Sequence, residues 1–218
     1  MSRVGGRRVP VTDTEAAPPT RREQQKAQRR QQLLVAGARL IAERGFLGMR
    51  LDDLGAAVGI SGPAVYRHFP NKEALLVELL VGVSRRLLDG GVAVVSRAAT
   101  PEEALTGLVD FHLDFALGEP ELISIQDRDL ENVPLAARRE IRRTQRRYVE
   151  LWVSVLRDLR PGLAESTARV QVHAVFGLLN STPYSARSIP EDTRPILREM
   201  ALLALMSSQT RSSHSPRR

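Results

Sequence analysis

From Ser61 to Lys72 the chain mixes very small side chains with hydrogen-bond donors. Ser61, Gly62, Pro63 and Ala64 come first, then Tyr66, Arg67 and His68, with Lys72 four residues on. Hydroxyl, guanidinium, imidazole and ammonium groups are the donors that bind phosphate oxygens, and a guanidinium fork also suits a base edge. The small residues matter for access, because an element entering a major groove about 12 Å wide cannot carry bulk on its leading edge. Pro63 and Ala64 offer apolar contact only, of the kind a thymine methyl accepts, which leaves Arg67 as the residue for a specific hydrogen bond. Arg50, upstream, is long enough to reach a flanking phosphate. The chemistry here is recognition, with no bond made or broken.

Other chemistries find little support. The chain has no cysteine, so disulfides, thiolate metal sites and cysteine nucleophiles are excluded. Its four histidines are scattered and stand beside no carboxylate cluster at ligand spacing. No Gly-rich phosphate loop or nucleophile–base pattern occurs. The expectation is a protein without metal, cofactor or enzymatic activity. No apolar run approaches the roughly 20 residues that span a bilayer, and the basic start lacks the apolar block of a secretory signal. No membrane partner and a cytoplasmic location are expected.

The 218 residues carry a net charge of +7, with 42% hydrophobic and 26% charged residues, enough for a packed core. The charge sits at the ends: residues 1–30 have a basic surplus of five and residues 208–218 a surplus of three, leaving the body at −1. Two readings of these ends stand side by side: they add non-specific attraction to phosphate, or they are simply solvated, disordered termini.

Every element that carries those donors, and every element after them, reads as helix, about nine in all, with no convincing strand. Residues 1–20 form a basic arm without apolar period. A helix begins near Arg22, with Leu34, Ala38 and Ile41 on one face and Gly45 at a left-handed cap position. Arg50 to Val58 is a short helix, Gly59 to Gly62 a tight turn, and Ser61 a candidate N-cap. A second short helix runs from Gly62 to Phe69, with Pro63 in its first turn. Val65 and Phe69 face inward, against Leu54. Asn71 caps the next helix, from Lys72 towards Leu88. Further helices are expected from the capping box Thr100–Glu103 to Leu117, over Glu119–Leu130, Pro134–Leu159 and Leu163–Asn180, and over Glu191–Met206. Residues 208–218 form a disordered tail.

Two short helices around a tight glycine turn describe a helix-turn-helix. The run Gly45-Phe46, then Leu51-Asp52-Asp53-Leu54-Gly55-Ala56-Ala57-Val58-Gly59-Ile60-Ser61, then Gly62-Pro63-Ala64-Val65-Tyr66-Arg67-His68-Phe69-Pro70-Asn71-Lys72-Glu73-Ala74-Leu75 closely resembles the DNA-binding signature of the TetR (tetracycline-repressor) family. The resemblance covers about residues 25–80. It implies an all-α chain with a three-helix DNA-binding domain over residues 21–70 and a ligand-binding and dimerisation domain over residues 71–207. It also implies a repressor that binds a palindromic double-stranded operator as a homodimer and is released by a small effector. Tyr66, His68 and Lys72 match positions that touch phosphate, while Ser61, Gly62, Pro63, Ala64 and Arg67 occupy the reading face. Arg50 departs from the Thr or Ser frequent at that position, so a capping role there is open.

Beyond residue 80 the reading rests on pattern. Leu163–Asn180 is apolar nearly all round, and Ile196, Met200, Leu203 and Leu205 add a second apolar helix. Such helices must be buried, and the expectation is a two-fold helical bundle between subunits, the alternative being a larger monomer core. Candidate effector-lining residues are Phe111, Phe115, Ile123, Tyr148, Trp152, Phe176, Asn180 and Tyr184, with His112 and His173 as possible polar handles. Residues of this kind are more often ordinary core. Arg138, Arg139, Arg142, Arg143, Arg146 and Arg147 form two adjacent columns on one helix. They are either a solvated face or a phosphate-binding patch at a pocket mouth, as an acyl-CoA effector would need. Two rivals remain: an all-helical enzyme, and a protein that coats DNA without operator specificity.

Overall fold

The computed structural model describes residues 20–186 and 190–207. The two expected tails, apart from Thr20, lie outside the described residues. Thr20 is not part of an arm: its hydroxyl accepts from the Glu23 backbone N–H at 3.3 Å, and Glu23 accepts from the Thr20 backbone at 2.7 Å. That reciprocal capping box starts α1, Arg21–Gly48.

Among the described residues the chain is helical throughout. After α1 come α2 (Leu51–Val58), α3 (Gly62–Tyr66), α4 (Lys72–Arg97), α5 (Pro101–Gly118) and α6 (Pro120–Asp129). A single 3-10 turn at Leu130–Asn132 leads into α7 (Leu135–Leu159), α8 (Glu165–Leu179), the four-residue α9 (Thr182–Ser185) and α10 (Pro190–Met206).

Several boundaries differ from the sequence expectation, each for a local reason. Gly45 has positive φ, but its φ/ψ of 76°/157° lies outside the left-handed helical basin. It kinks α1 instead of ending it, in a region open in practice only to glycine. The second short helix stops at Tyr66, not Phe69, because the N–H groups of His68 and Phe69 both close on the Val65 carbonyl. Ser61 stands at the N-cap of α3, yet its hydroxyl makes no capping bond; its carbonyl takes the Ala64 and Val65 N–H groups. At α5 the Thr100 hydroxyl caps Glu103, but the returning Glu103 carboxylate takes the Ala99 N–H.

α4 runs nine residues past Leu88 because Gly90 and Gly91 do not break it. A Cβ at Gly90 would lie 2.2 Å from Phe111 Cζ, and one at Gly91 would lie 2.6 Å from Tyr148 Cε2. These glycines let α5 and α7 approach α4 closely.

Two apolar cores result. The first joins α1, α2, α3 and the start of α4 through Leu33, Ile41, Leu54, Val65, Phe69, Leu75 and Leu76, and α6 adds Leu122 and Ile125. The second joins α5, α7, α8 and α10 through Leu105, Leu108, Trp152, Leu156, Val172, Leu179, Ala201 and Leu205. Burial of α8 is one-sided, which corrects the all-round reading. Val172, Val175 and Leu179 are inside, while Val170 (69% exposed), Ala174 and Gly177 face outward. α10 repeats this, with Leu197, Ala201 and Leu205 buried and Ile196, Met200 and Leu203 exposed.

Candidate nucleic-acid interface and internal cavity

The turn between α2 and α3 is built around two glycines. Gly59 is left-handed (φ 69°, ψ 36°), and the Ile60 N–H returns to the Gly55 carbonyl at 2.9 Å. Any Cβ at Gly55 would meet that Ile60 carbonyl at 2.9 Å, so the turn is tight because residue 55 has no side chain. Leu54, Val65 and Phe69 are wholly buried beneath it.

What remains outside is the expected edge. Ser61, Pro63, Tyr66 and Arg67 are exposed, and Gly62, Ala64 and His68 are half-buried. Tyr66 keeps 49% of its surface open. Arg50 is also exposed, held loosely at 3.9 Å from Asp52. Lys72 is placed differently from a free phosphate donor. Its Nζ lies 4.7 Å from the Phe46 ring centre and donates to the Phe46 and Leu47 carbonyls, at 3.2 Å each. Two of its three N–H bonds are thus committed to the end of α1.

His68 sits in a cationic setting. Burial, then Arg30, Lys26, Arg29 and Arg67, hold its imidazole below the usual histidine range. It is therefore neutral near pH 7, and its buried Nδ1 has no hydrogen-bond partner among the described residues. Arg30 was not anticipated. It pairs with Glu78 at two points, donates to the His68 carbonyl at 2.7 Å, and lies 4.5 Å from the Phe69 ring centre. Its signal in the sequence was faint, since one more arginine in a basic helix looks like any other.

A cavity of about 540 Å³ opens between α4, α5, α6, α7 and α8. Of the expected lining residues, Phe115, Ile123, Tyr148, Phe176 and Asn180 are on its wall. The other three are elsewhere. Phe111 is spent on Gly90. Trp152 is fully buried behind the wall, edge-on to Phe176 at 4.9 Å. Tyr184 is 70% exposed on α9. His112 and His173 both line the cavity, as do Ser84, Leu87, Gln126, Gln145 and Val149.

Burial divides this wall into an inner end and a rim. Ser84, His112, Ile123 and Tyr148 are buried, whereas Arg142, Arg146, Glu150 and His173 are exposed. His112 Nε2–H donates to Asn180 Oδ1 at 3.0 Å, and the Tyr148 hydroxyl donates to His112 Nδ1 at 3.3 Å. Burial pushes His112 down to about 4 and the Tyr148 phenol upward, so both are neutral at physiological pH.

At the rim, Arg169 is tied to Glu150 and Glu165, and Arg142 to Glu131. Arg146 has no carboxylate within ion-pair distance among the described residues. The arginine columns therefore separate. Arg142 and Arg146 border the cavity, Arg138 joins Arg142 on Glu131, and Arg139, Arg143 and Arg147 face solvent. Among the described residues no three His, Asp or Glu side chains converge to hold a metal.

α6 connects cavity and interface. Ile123 and Gln126 line the cavity, while two and three residues later Arg128 and Asp129 grip the end of α1. Arg128 donates to the Ile41 and Ala42 carbonyls at 2.5 and 3.2 Å, and buried Asp129 accepts from the Phe46 N–H at 3.4 Å.

Comparison with known proteins places this architecture. Residues 33–79 match the tetR family of bacterial regulatory proteins, and residues 98–184 match the tetracyclin repressor-like C-terminal domain. The HTH-type transcriptional repressor KstR2 of Mycobacterium tuberculosis is 30% identical over 159 residues, which cover 70% of this chain and 76% of that protein. The chain belongs to the TetR family. It is accordingly a DNA-binding transcription regulator, with α2 and α3 as the helix-turn-helix.

A second relative is the fatty acid metabolism regulator protein of Bacillus subtilis, 22% identical over 156 residues, which cover 69% of this chain and 79% of that one. Among solved structures, FadR from Bacillus subtilis in complex with stearoyl-CoA shares the fold with a TM-score of 0.64. It is 18% identical, and the match covers 81% of this chain and 97% of that one. No described helix is long and apolar enough to cross a membrane.

Proposed function

We propose that this TetR-family regulator is a repressor that binds a palindromic operator as a homodimer and releases it on binding a largely apolar effector with an anionic group, of the acyl-CoA class. Residues 21–70 form the DNA-binding part, and residues 71–207 the effector-binding and dimerising part. Arg67 reads a base edge, with Ser61, Gly62, Pro63 and Ala64 lying against the groove floor. Tyr66, His68 and Arg50 bind flanking phosphates, and Lys72 contributes its one uncommitted N–H.

The dimer is made by the exposed stripes of α8 and α10. Val170, Ala174 and Gly177 follow the same i, i+4, i+7 spacing as Ile196, Met200 and Leu203. The two helices pack on each other, and a monomer would leave both apolar stripes in water.

The observation that carries the effector class is the contrast between rim and wall. Arg142, Arg146 and Arg169 stand, with Glu150 and His173, around a cavity whose apolar surface comes from Leu87, Phe115, Ile123, Val149 and Phe176, with neutral polar groups such as His112 and Asn180 among them. An acyl chain would bury itself inside, with its phosphates left at the arginines. The stearoyl-CoA bound by Bacillus subtilis FadR is of this class. Filling the cavity displaces Ile123 and Gln126 on α6, and Arg128 and Asp129 carry that movement to α1. The effector so favours a dimer whose α3 helices no longer match major grooves about 34 Å apart.

Titration of the operator complex with decanoyl-CoA, decanoate and coenzyme A tests this. Only the thioester is expected to release DNA, and Arg146→Ala should raise the concentration needed by about tenfold, one charge-assisted hydrogen bond. Failure of all three to release DNA would remove the acyl-CoA class.

A further inference from the structure

The inner end of the cavity does not suit a plain hydrocarbon. It holds the His112–Tyr148–Asn180 chain of hydrogen bonds, in which the acceptor of Asn180 is used by His112. Its amide nitrogen makes no hydrogen bond among the described residues. Gln145, one turn before Tyr148 on α7, has a buried Nε2 that also lacks a partner. Both residues line the cavity. Ser84 also lines the cavity, but its hydroxyl, which donates back to the Leu80 carbonyl at 2.7 Å, accepts from neither amide. The Gln145 amide thus brings a buried N–H donor to the cavity wall with nothing to accept it, and the Asn180 amide lies on the same wall with its oxygen already taken by His112. Buried donors are rarely left so, and a ligand is one group that satisfies them.

We propose that this wall holds a recognition site for a neutral oxygen acceptor, a ketone or hydroxyl on the apolar part of the effector, held by the N–H groups of Gln145 and Asn180. The inference deepens the effector reading above and rests on this cavity being the effector site. An alkyl chain end placed here would leave both donors unmatched and strip them of water. A carboxylate would meet no counter-charge, since His112 is neutral and the arginines stand at the rim. A neutral carbonyl matches donors on one side and apolar rings on the other. Sites built to hydrogen-bond a ligand oxygen discriminate strongly against the analogue without it.

The test uses the full-length protein and two probes that carry no coenzyme A, 4-phenylcyclohexanone and phenylcyclohexane. Trp152 is the one tryptophan in the chain and packs on Phe176 of the wall, so its emission reports occupancy. The ketone is expected to bind at least tenfold more tightly than the hydrocarbon. That preference should fall to about onefold in the Gln145→Leu/Asn180→Leu double variant. Gln145→Leu alone should leave the ligand-free melting temperature unchanged or raised, because it deletes an unmatched donor; a merely structural glutamine would lower it. Equal binding of the two probes, tighter binding of the hydrocarbon, or binding of neither overturns the proposal. Ketone binding without release by any acyl-CoA would remove the acyl-CoA class and leave this site standing. Release by acyl-CoA without ketone preference would do the reverse.

Discussion

Arg30 on α1 and Glu78 on α4 meet in a two-point ion pair, and the same guanidinium holds the carbonyl of His68 at the end of the recognition helix. Both side chains are about a third exposed, so the pair contributes little to stability, on the order of 1 kcal/mol or less. Its importance is positional: it fixes the α3 edge relative to α4, the helix that enters the effector domain.

Glu78→Gln should therefore lower operator affinity by about three- to tenfold while shifting the melting temperature by no more than about 4 °C, the equivalent of roughly 1 kcal/mol at this size. Operator titration beside a thermal melt of the same sample checks it. A large loss of stability with unchanged affinity per folded dimer would show that the pair is structural only.

His112 predicts a pH dependence. Its folded value, about 4, lies below its unfolded value near 6.5, so the unfolded chain binds the extra proton first. Stability from this group is complete above about pH 6.5, is lost as pH falls towards 4, and changes no further below that. The full loss is about 3 kcal/mol. Melts between pH 8 and 4.5 should show wild type losing more than His112→Gln over that window. Parallel curves would contradict the buried neutral imidazole.

The exposed apolar residues of α8 and α10 give a third expectation. Leu203→Asp, on a residue 59% exposed in the single chain, places a charge on each side of the two-fold contact and should convert the dimer to monomer at micromolar concentration. Ile123→Ala, inside the cavity, should not. Native mass or sedimentation reads the difference, and an intact Leu203→Asp dimer would move the interface elsewhere.

Some of this was legible in the sequence, and the division is physical. The helix-turn-helix is local: Gly59, Pro63, Asn71 and the inward pair Val65 and Phe69 lie within thirteen residues, so short-range geometry announces it. On α10 spacing gave only part of the answer: of the four apolar residues read together, Ile196, Met200 and Leu203 point outward and Leu205 is buried. The cavity is not local, since Leu87, His112, Ile123, Gln145 and Asn180 come from five parts of the chain. Periodicity gives each a face without saying which faces meet. Phe111 and Tyr184 illustrate the limit, being aromatic residues with identical credentials to Phe115. One is taken up by Gly90, and the other sits outside on α9. The role of Gly90 and Gly91 was equally hidden, because a glycine pair inside a helix reads as a break until the rings that need the space are known.

The central claim is that the slim edge from Ser61 to Arg67 reads a duplex. It is tested most directly by selecting the operator from genomic fragments, then measuring the affinity of wild type, Tyr66→Ala and Arg67→Ala for that operator and for random duplex at one salt concentration. Wild type is expected to select a palindrome and to bind it at least about a thousandfold more tightly than random DNA. Both variants should lose most of that preference while remaining folded dimers. Undiminished operator preference in both would contradict it.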